Sequence, residues 1–339
     1  MANFLLVAEQ VWVLFALMGL GVVCRWAKLV DDNAVKGIVN VLVLLVTPSL
    51  IIDVFQRPFD AGMLCQLGLS FAIVAAAHIV LIVAAMSLMR GSDDSRRPVL
   101  RLATVFSNAG FMGIPLEYAI LGDAGVFFGI MYVVVFNLVI WSWGLWQMRK
   151  NEELGVRNEE FTRPDSLKQC RKVPVLLLLV KKFPVPHSSF LINPGTIGLA
   201  VGLGLFVTRT TLPGMLAQPV KMMASLNTPL AMLVIGYYLA GAKFRAVARC
   251  RAAYAAAFIR LVASPLLFMA ALYPLRHALN RDMMLALVIA ASAPVAAMVT
   301  MFAAKFGRDV DLSVGLVSAT TLLSIVTMPC VIALAMSVL

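Results

Sequence analysis

Apolar residues run along this chain in long blocks separated by short polar punctuation. Ten blocks are long enough to cross a bilayer: 4–26, 38–56, 63–89, 99–121, 124–148, 190–207, 222–242, 252–275, 283–306 and 312–339. A hydrocarbon core of about 30 Å takes roughly 20 helical residues, so each block predicts one spanning helix. Two blocks are interrupted where they should be most apolar. The fourth reads Ser107-Asn108-Ala109-Gly110 soon after it begins at Val99, and the ninth reads Ala291-Ser292-Ala293-Pro294. Without water at that depth, unwound backbone survives only where it is buried in protein or lines a wet cavity. Interrupted helices in corresponding places of two halves mark the midplane site of a transporter.

The composition permits no soluble fold of this size. With 61% hydrophobic and 13% charged residues over 339 positions, the chain reads as an all-α polytopic membrane protein. Its net charge of +11 is a topology signal. With both termini outside, the loops on the cytoplasmic side hold 22 of the 28 basic residues, and the outer side holds Arg57, Arg209, Lys221, Arg276 and Arg281. That asymmetry sets the orientation and accounts for the charge with no nucleic acid partner, leaving anionic membrane lipid as the natural contact. The first block lacks the basic opening of a cleavable signal and is expected to remain as a helix. Between blocks five and six the charged, proline-bearing segment 151–189 is expected to be cytoplasmic. Its apolar patch Val173–Val180 is too short to span and suits the interface. Cys24, Cys65, Cys170, Cys250 and Cys330 have neither metal spacing nor an even framework, so neither a structural metal nor disulfides are expected.

An internal repeat divides the chain into 1–150, the loop 151–189, and 190–339. Leu-x-Thr-Pro recurs in blocks two and seven, with Thr47 and Thr228 181 residues apart, and the two interruptions recur at a similar offset, 187 from Ser107 to Pro294. Five blocks per half is an odd number, so the second copy enters from the opposite side and the repeat is inverted. Prolines recurring independently in membrane helices give the same pattern.

At the first interruption, two half-helix ends point into the gap. A helix N-terminus carries about half a positive elementary charge, which favours an anion such as a carboxylate. Ser107, Asn108, Gly110 and Ser292 are the candidate neutral or backbone contacts; Asn108 can equally cap the second half-helix. Asn137, within the apolar run VVVFNLVIW, needs partners wherever it is buried, either on another helix or in a cavity. Thr320, Thr321 and Ser324 are the corresponding polar residues of block ten. Ionisable residues inside spans are functional candidates: Asp53, His78, Glu117 and Arg260, with Glu9 also within block one. His78 and Arg260 sit 182 residues apart, in nearly equivalent repeat positions. Either can balance a substrate carboxylate, couple a proton, or serve in a structural pair. Glu117 can take a proton, pair with a cation, or lie near enough to the outer surface to be solvated.

With these residues in view, the sequence resembles the auxin efflux carrier family of membrane transporters, which includes plant auxin exporters and bacterial carriers for malate, malonate and related organic anions. The resemblance rests on Asn108-Ala109-Gly110-Phe111-Met112-Gly113-Ile114-Pro115-Leu116, on Thr228–Gly241 (TPLAMLVIGYYLAG), and on Pro294, MFAAKFGRDVDLS and Pro329. It implies ten transmembrane helices as two inverted five-helix repeats, with crossing broken helices four and nine. It further implies a scaffold of spans 1, 2, 6 and 7, and a transport domain of spans 3–5 and 8–10 that moves as an elevator. The crossover asparagine falls on Asn108, the second crossover proline on Pro294, and the polar residue of the fifth helix on Asn137. Ser107 stands where plant members have proline, and Val295 where they have a polar residue, so the aromatic-acid pocket is not carried over and a bacterial-type carrier is favoured. The family also implies a homodimer.

The expected function is a secondary transporter of a small mono- or dicarboxylate in the cell inner membrane, with substrate contacts drawn from Ser107, Asn108, Gly110, Asn137, Ser292, Pro294 and Val295. No GxxxxGK[ST] run is present, so ATP is not the direct driver. No cofactor is expected, and proton or sodium coupling stays open. The rival readings are an intramembrane enzyme, for which no HExxH or GxSxG run is present, and a membrane sensor that binds without flux.

Overall fold

Every element among the described residues is helical, and the one strand-like pairing is a single antiparallel bridge between Ser107 and Val295. The structure, a computed structural model, describes residues 2–91, 93–149, 194–242 and 244–339. The segment 151–189, with Val173–Val180 and Cys170, lies outside the described residues, as does the start of the sixth block.

In order, the helices are α1 (Ala2–Trp26), α2 (Asp32–Val54), α3 (Ala61–Leu88), α4 (Arg96–Val105), α5 (109–121), α6 (123–148), α7 (Pro194–Val207) and α8 (Gly214–Leu239). There follow the short α9 (Phe244–Ala248), then α10 (Arg251–Leu275), α11 (Arg281–Ser292), α12 (Met298–Lys305) and α13 (Val310–Val338). Side-chain oxygens fix several starts: Asp31 accepts from the Ala34 amide at 2.7 Å, Asp60 from Met63 at 2.7 Å, and Asp309 from Leu312 at 2.9 Å. Such caps satisfy amides that a helix leaves unpaired. The Asp31 cap explains why α2 begins six residues before the apolar block does.

Seven helical stretches among the described residues are long and apolar enough to cross a membrane. One of them, Ala109–Met148, has 40 residues, about 60 Å at 1.5 Å per residue and twice the hydrocarbon thickness. The chain turns within it at Gly122, where φ is +66°, a conformation that favours glycine. This turn separates α5 from α6. Prolines leave a further local mark. Wide five-residue turns at Leu42–Val46, Ala109–Gly113 and Ile259–Ala263 each end two residues before a proline, at Pro48, Pro115 and Pro265. Proline lacks an amide and clashes with the preceding turn, and an extra residue there relieves both problems.

Packing groups the helices into two neighbourhoods, joined where α1 also packs on α13. α1 lies on α8, and α2 lies on α7 and α8. The first contact is close because Gly21 and Gly236 face backbone: a Cβ on Gly21 would collide with the Leu233 carbonyl, and one on Gly236 with that of Met18. The other neighbourhood joins α3 to α4, α5 and α6 to α11, α10 to α11, and α11 and α12 to α13. Its centre is α11, buried at every residue from Met283 to Ser292. Large apolar side chains such as Trp12, Trp26, Phe258 and Val326 stay exposed, the surface a bilayer would cover.

Candidate crossover site

Helix α4 ends at Val105, and the chain is extended at Phe106 (φ −98°, ψ 114°) before α5 begins at Ala109. Helix α11 ends at Ser292, and Ala293 is likewise extended (φ −62°, ψ 147°) before α12 begins at Met298. These two unwound segments meet. The Asn108 amide donates to the Pro294 carbonyl at 2.7 Å, and the Ala296 amide to the Phe106 carbonyl at 3.0 Å. Between them Ser107 and Val295 pair in antiparallel register. The Val295 amide, which the bridge leaves unused, donates to Thr320 Oγ1 on α13 at 3.1 Å. Backbone groups released by each break are therefore satisfied by the other break or by its neighbour, as an apolar interior requires.

The four helix ends are sorted by charge. Arg260 on α10 is fully buried and donates to the carbonyls of Val105 (2.8 Å) and Ala291 (2.6 Å), and to Ser264 Oγ (2.6 Å). Those carbonyls belong to the C-terminal ends of α4 and α11, the negative poles of two helix dipoles. The N-terminal ends of α5 and α12, the positive poles, border a cavity instead. Gly110 and Phe111 line it from the first, and Ala296 and Met298 from the second. Ser107 and Asn108 form part of its wall, α6 contributes Val133, Phe136, Asn137 and Trp141, and α2 contributes Val43 and Thr47. Pro194 and Gly195 of α7 complete the wall around a cavity of about 80 Å³. Among the described residues, no ionisable side chain is in that lining. Asn108 Nδ2 and the Ser107 hydroxyl are buried and have no partner among the described residues, and unpaired buried polar groups are costly. An apolar cavity with a few convergent donors is the common form of a small-molecule site.

The candidates drawn from the sequence separate accordingly. Ser107, Asn108, Gly110 and Asn137 share the cavity. Asn137 Nδ2 donates to Val133 of its own helix at 2.8 Å, which leaves its carbonyl oxygen without a tie to a neighbouring helix. Ser292, Pro294 and Val295 lie behind the wall: the Ser292 hydroxyl donates to Ile289 at 2.7 Å, and the other two hold the bridge. Arg260 holds carbonyls, and among the described residues no carboxylate pairs with it. His78 is buried with Nδ1 against the Val74 carbonyl at 2.9 Å and its ring edge-on to Tyr132 at 5.2 Å. Glu117 is fully buried rather than solvated, and Asp53 is partly buried near the end of α2. Thr47, Phe111, Phe136, Trp141 and Met298 were not singled out from the sequence. Thr47 carried a signal through its place in Leu-x-Thr-Pro, and Phe111 through its place in the motif from Asn108 to Leu116.

The family model for membrane transport protein matches residues 6–332, which takes in both unwound segments and every helix bordering the cavity. The chain belongs to that family, the auxin efflux carrier-type membrane transporters. No curated protein matches it in sequence. In this membrane transport protein, the paired breaks and their cavity are where a solute can meet backbone dipoles without leaving the protein interior.

Proposed function

We propose that this protein is a secondary carrier for a small organic anion, a mono- or dicarboxylate of the malate or malonate kind. The observation that carries the reading is the sorting of helix poles: two N-termini face the cavity, while Arg260 holds the two C-termini away from it. A carboxylate placed there meets first-turn amides, the Asn108 amide group and the Ser107 hydroxyl, and needs no cationic side chain. The mostly apolar wall of Val43, Val133, Phe136 and Trp141 suits the carbon skeleton of a compact acid.

Alternating access follows from where the cavity lies. It is bordered by α2 and α7 on one side and by α5, α6 and α12 on the other, so sliding one neighbourhood past the other would carry the anion across as an elevator. In this reading α1, α2, α7 and α8 form the scaffold. The chain comprises ten spans as two inverted repeats, 1–150 and 190–339, joined by the cytoplasmic loop 151–189. The protein resides in the inner membrane with both termini outside, in contact with lipid, and works as a homodimer.

Reconstitution into proteoliposomes with labelled dicarboxylates tests the reading. Saturable uptake in wild type, weakened in Asn108→Ala at unchanged expression, is the expected result. Saturable binding without flux would replace the carrier by a sensor, and unaltered kinetics in Asn108→Ala would remove that residue from the site.

A further inference from the structure

Glu117 lies on α5, about two turns beyond the crossover, and is fully buried. Neither carboxyl oxygen has a hydrogen-bond partner, and among the described residues no charged side chain acts on it. Its space is made by missing side chains. A Cβ on Gly129 of α6 would collide with the carboxyl group, one on Gly113 would come within 3.7 Å of it, and the Gly113 position itself abuts the Ala290 backbone of α11. A carboxylate held this way, without partner or counterion, is strongly disfavoured; the neutral acid is not.

We infer that Glu117 is a proton-carrying site: the carboxylate takes one proton from water on one side, travels as the neutral acid, and returns it on the other. A metal cation is the wrong occupant, because hard cations take about six oxygen ligands and the walls here are glycine and alanine backbone. The titratable groups on the elements packed around it are few. α11 offers none between Met283 and Ser292, and α6 offers the exposed Asp123 at its start and Tyr132, whose hydroxyl is buried and has no partner among the described residues. α3 offers His78, whose Nε2 is in the same condition. α2 offers the partly buried Asp53, and α1 the exposed Glu9. Gly129 and Tyr132 are three residues apart on α6 and so share a face, and Tyr132 packs on His78. Tyr132 Oη and His78 Nε2 are thus further buried polar atoms without a partner among the described residues, on helices packed around Glu117. This inference rests on the carrier reading and supplies its coupling ion.

The test uses proteoliposomes with a malate load and the membrane potential clamped at zero. One coupled proton raises equilibrium accumulation about tenfold per unit of inside-alkaline pH gradient. Wild type is expected to show that response together with proton entry read by a trapped pH dye. Glu117→Gln is expected to keep malate counterflow, which needs no net proton movement, and to lose both signals. Gly129→Ala, which crowds the carboxyl, is expected to lose them as well. A pH response in Glu117→Gln equal to wild type, or counterflow in wild type without any pH response, overturns the inference. Absence of counterflow in wild type would instead overturn the carrier reading for malate. Infrared spectra of the purified wild type at pH 8 then decide the site alone: a protonated-acid C=O band supports it, and absence of that band overturns it.

Discussion

The backbone amide of Asn108 donates to the carbonyl of Pro294 across 2.7 Å, joining two residues 186 positions apart in the sequence at the points where their helices come undone. Each break supplies the hydrogen-bond partner that the other lost. Neither unwound segment would be tolerable in hydrocarbon alone, and together they leave two helix N-termini free to face a cavity.

Removing the Asn108 amide tests its part in holding the anion. Hydrogen bonds to charged groups contribute about 1.5–3 kcal/mol, so Asn108→Ala should raise the concentration for half-maximal uptake by roughly tenfold to a hundredfold. Its elution on size exclusion and its melting temperature should match wild type, because the backbone bond to Pro294 survives the substitution.

Arg260 has a different role. Arg260→Leu would leave the carbonyls of Val105 and Ala291 buried without donors, each at about 1–3 kcal/mol. A clear fall in melting temperature in detergent is expected, with loss of uptake. Arg260→Lys should recover only part of the stability, since an ammonium lacks the planar fork that reaches two helix ends at once. Melting of Arg260→Leu at the wild-type temperature would contradict this assignment.

The close approach of α1 and α8 predicts a contrast between neighbouring glycines. Gly21→Ala places a methyl against the Leu233 carbonyl, whereas a Cβ on Gly19 meets nothing within 4 Å. Overpacking costs about 1–3 kcal/mol, so Gly21→Ala should melt lower while Gly19→Ala should melt as wild type does.

Motion between the two neighbourhoods is open to a cross-linking test. Thr47 on α2 and Asn137 on α6 line the same cavity. Cysteines at both positions in a cysteine-free background, joined by a short thiol-cleavable reagent, should stop uptake, and reductant should restore it. Full uptake in the joined protein would mean that the two sides do not part.

Much of this arrangement was legible before any coordinates. The interruptions at Ser107 and Ala293 stood out because polar and small residues at mid-depth violate the uniform apolarity of their blocks, and Gly122 lay where one block gave way to the next. What Arg260 does was not legible. A lone buried cation on a helix can serve a substrate, a proton or a carboxylate, and only the geometry reveals two carbonyl ends converging on it from distant segments. The burial of Glu117 was hidden for a similar reason, since depth along α5 says nothing of what covers it, and the space it occupies comes from glycines on another helix. Phe136 and Trp141 carry no signal of their own, because an aromatic that walls a cavity in an apolar helix has the same sequence surroundings as one facing lipid or core.

The central claim, that an organic anion is held between two helix N-termini beside Asn108, is tested most directly by equilibrium binding of labelled dicarboxylates to purified wild type and Asn108→Asp. The substitution places a fixed negative charge of nearly the same shape where the anion's carboxylate would sit. Saturable binding in wild type that disappears in a folded Asn108→Asp is the predicted result. Equal affinity in the two proteins would contradict the account.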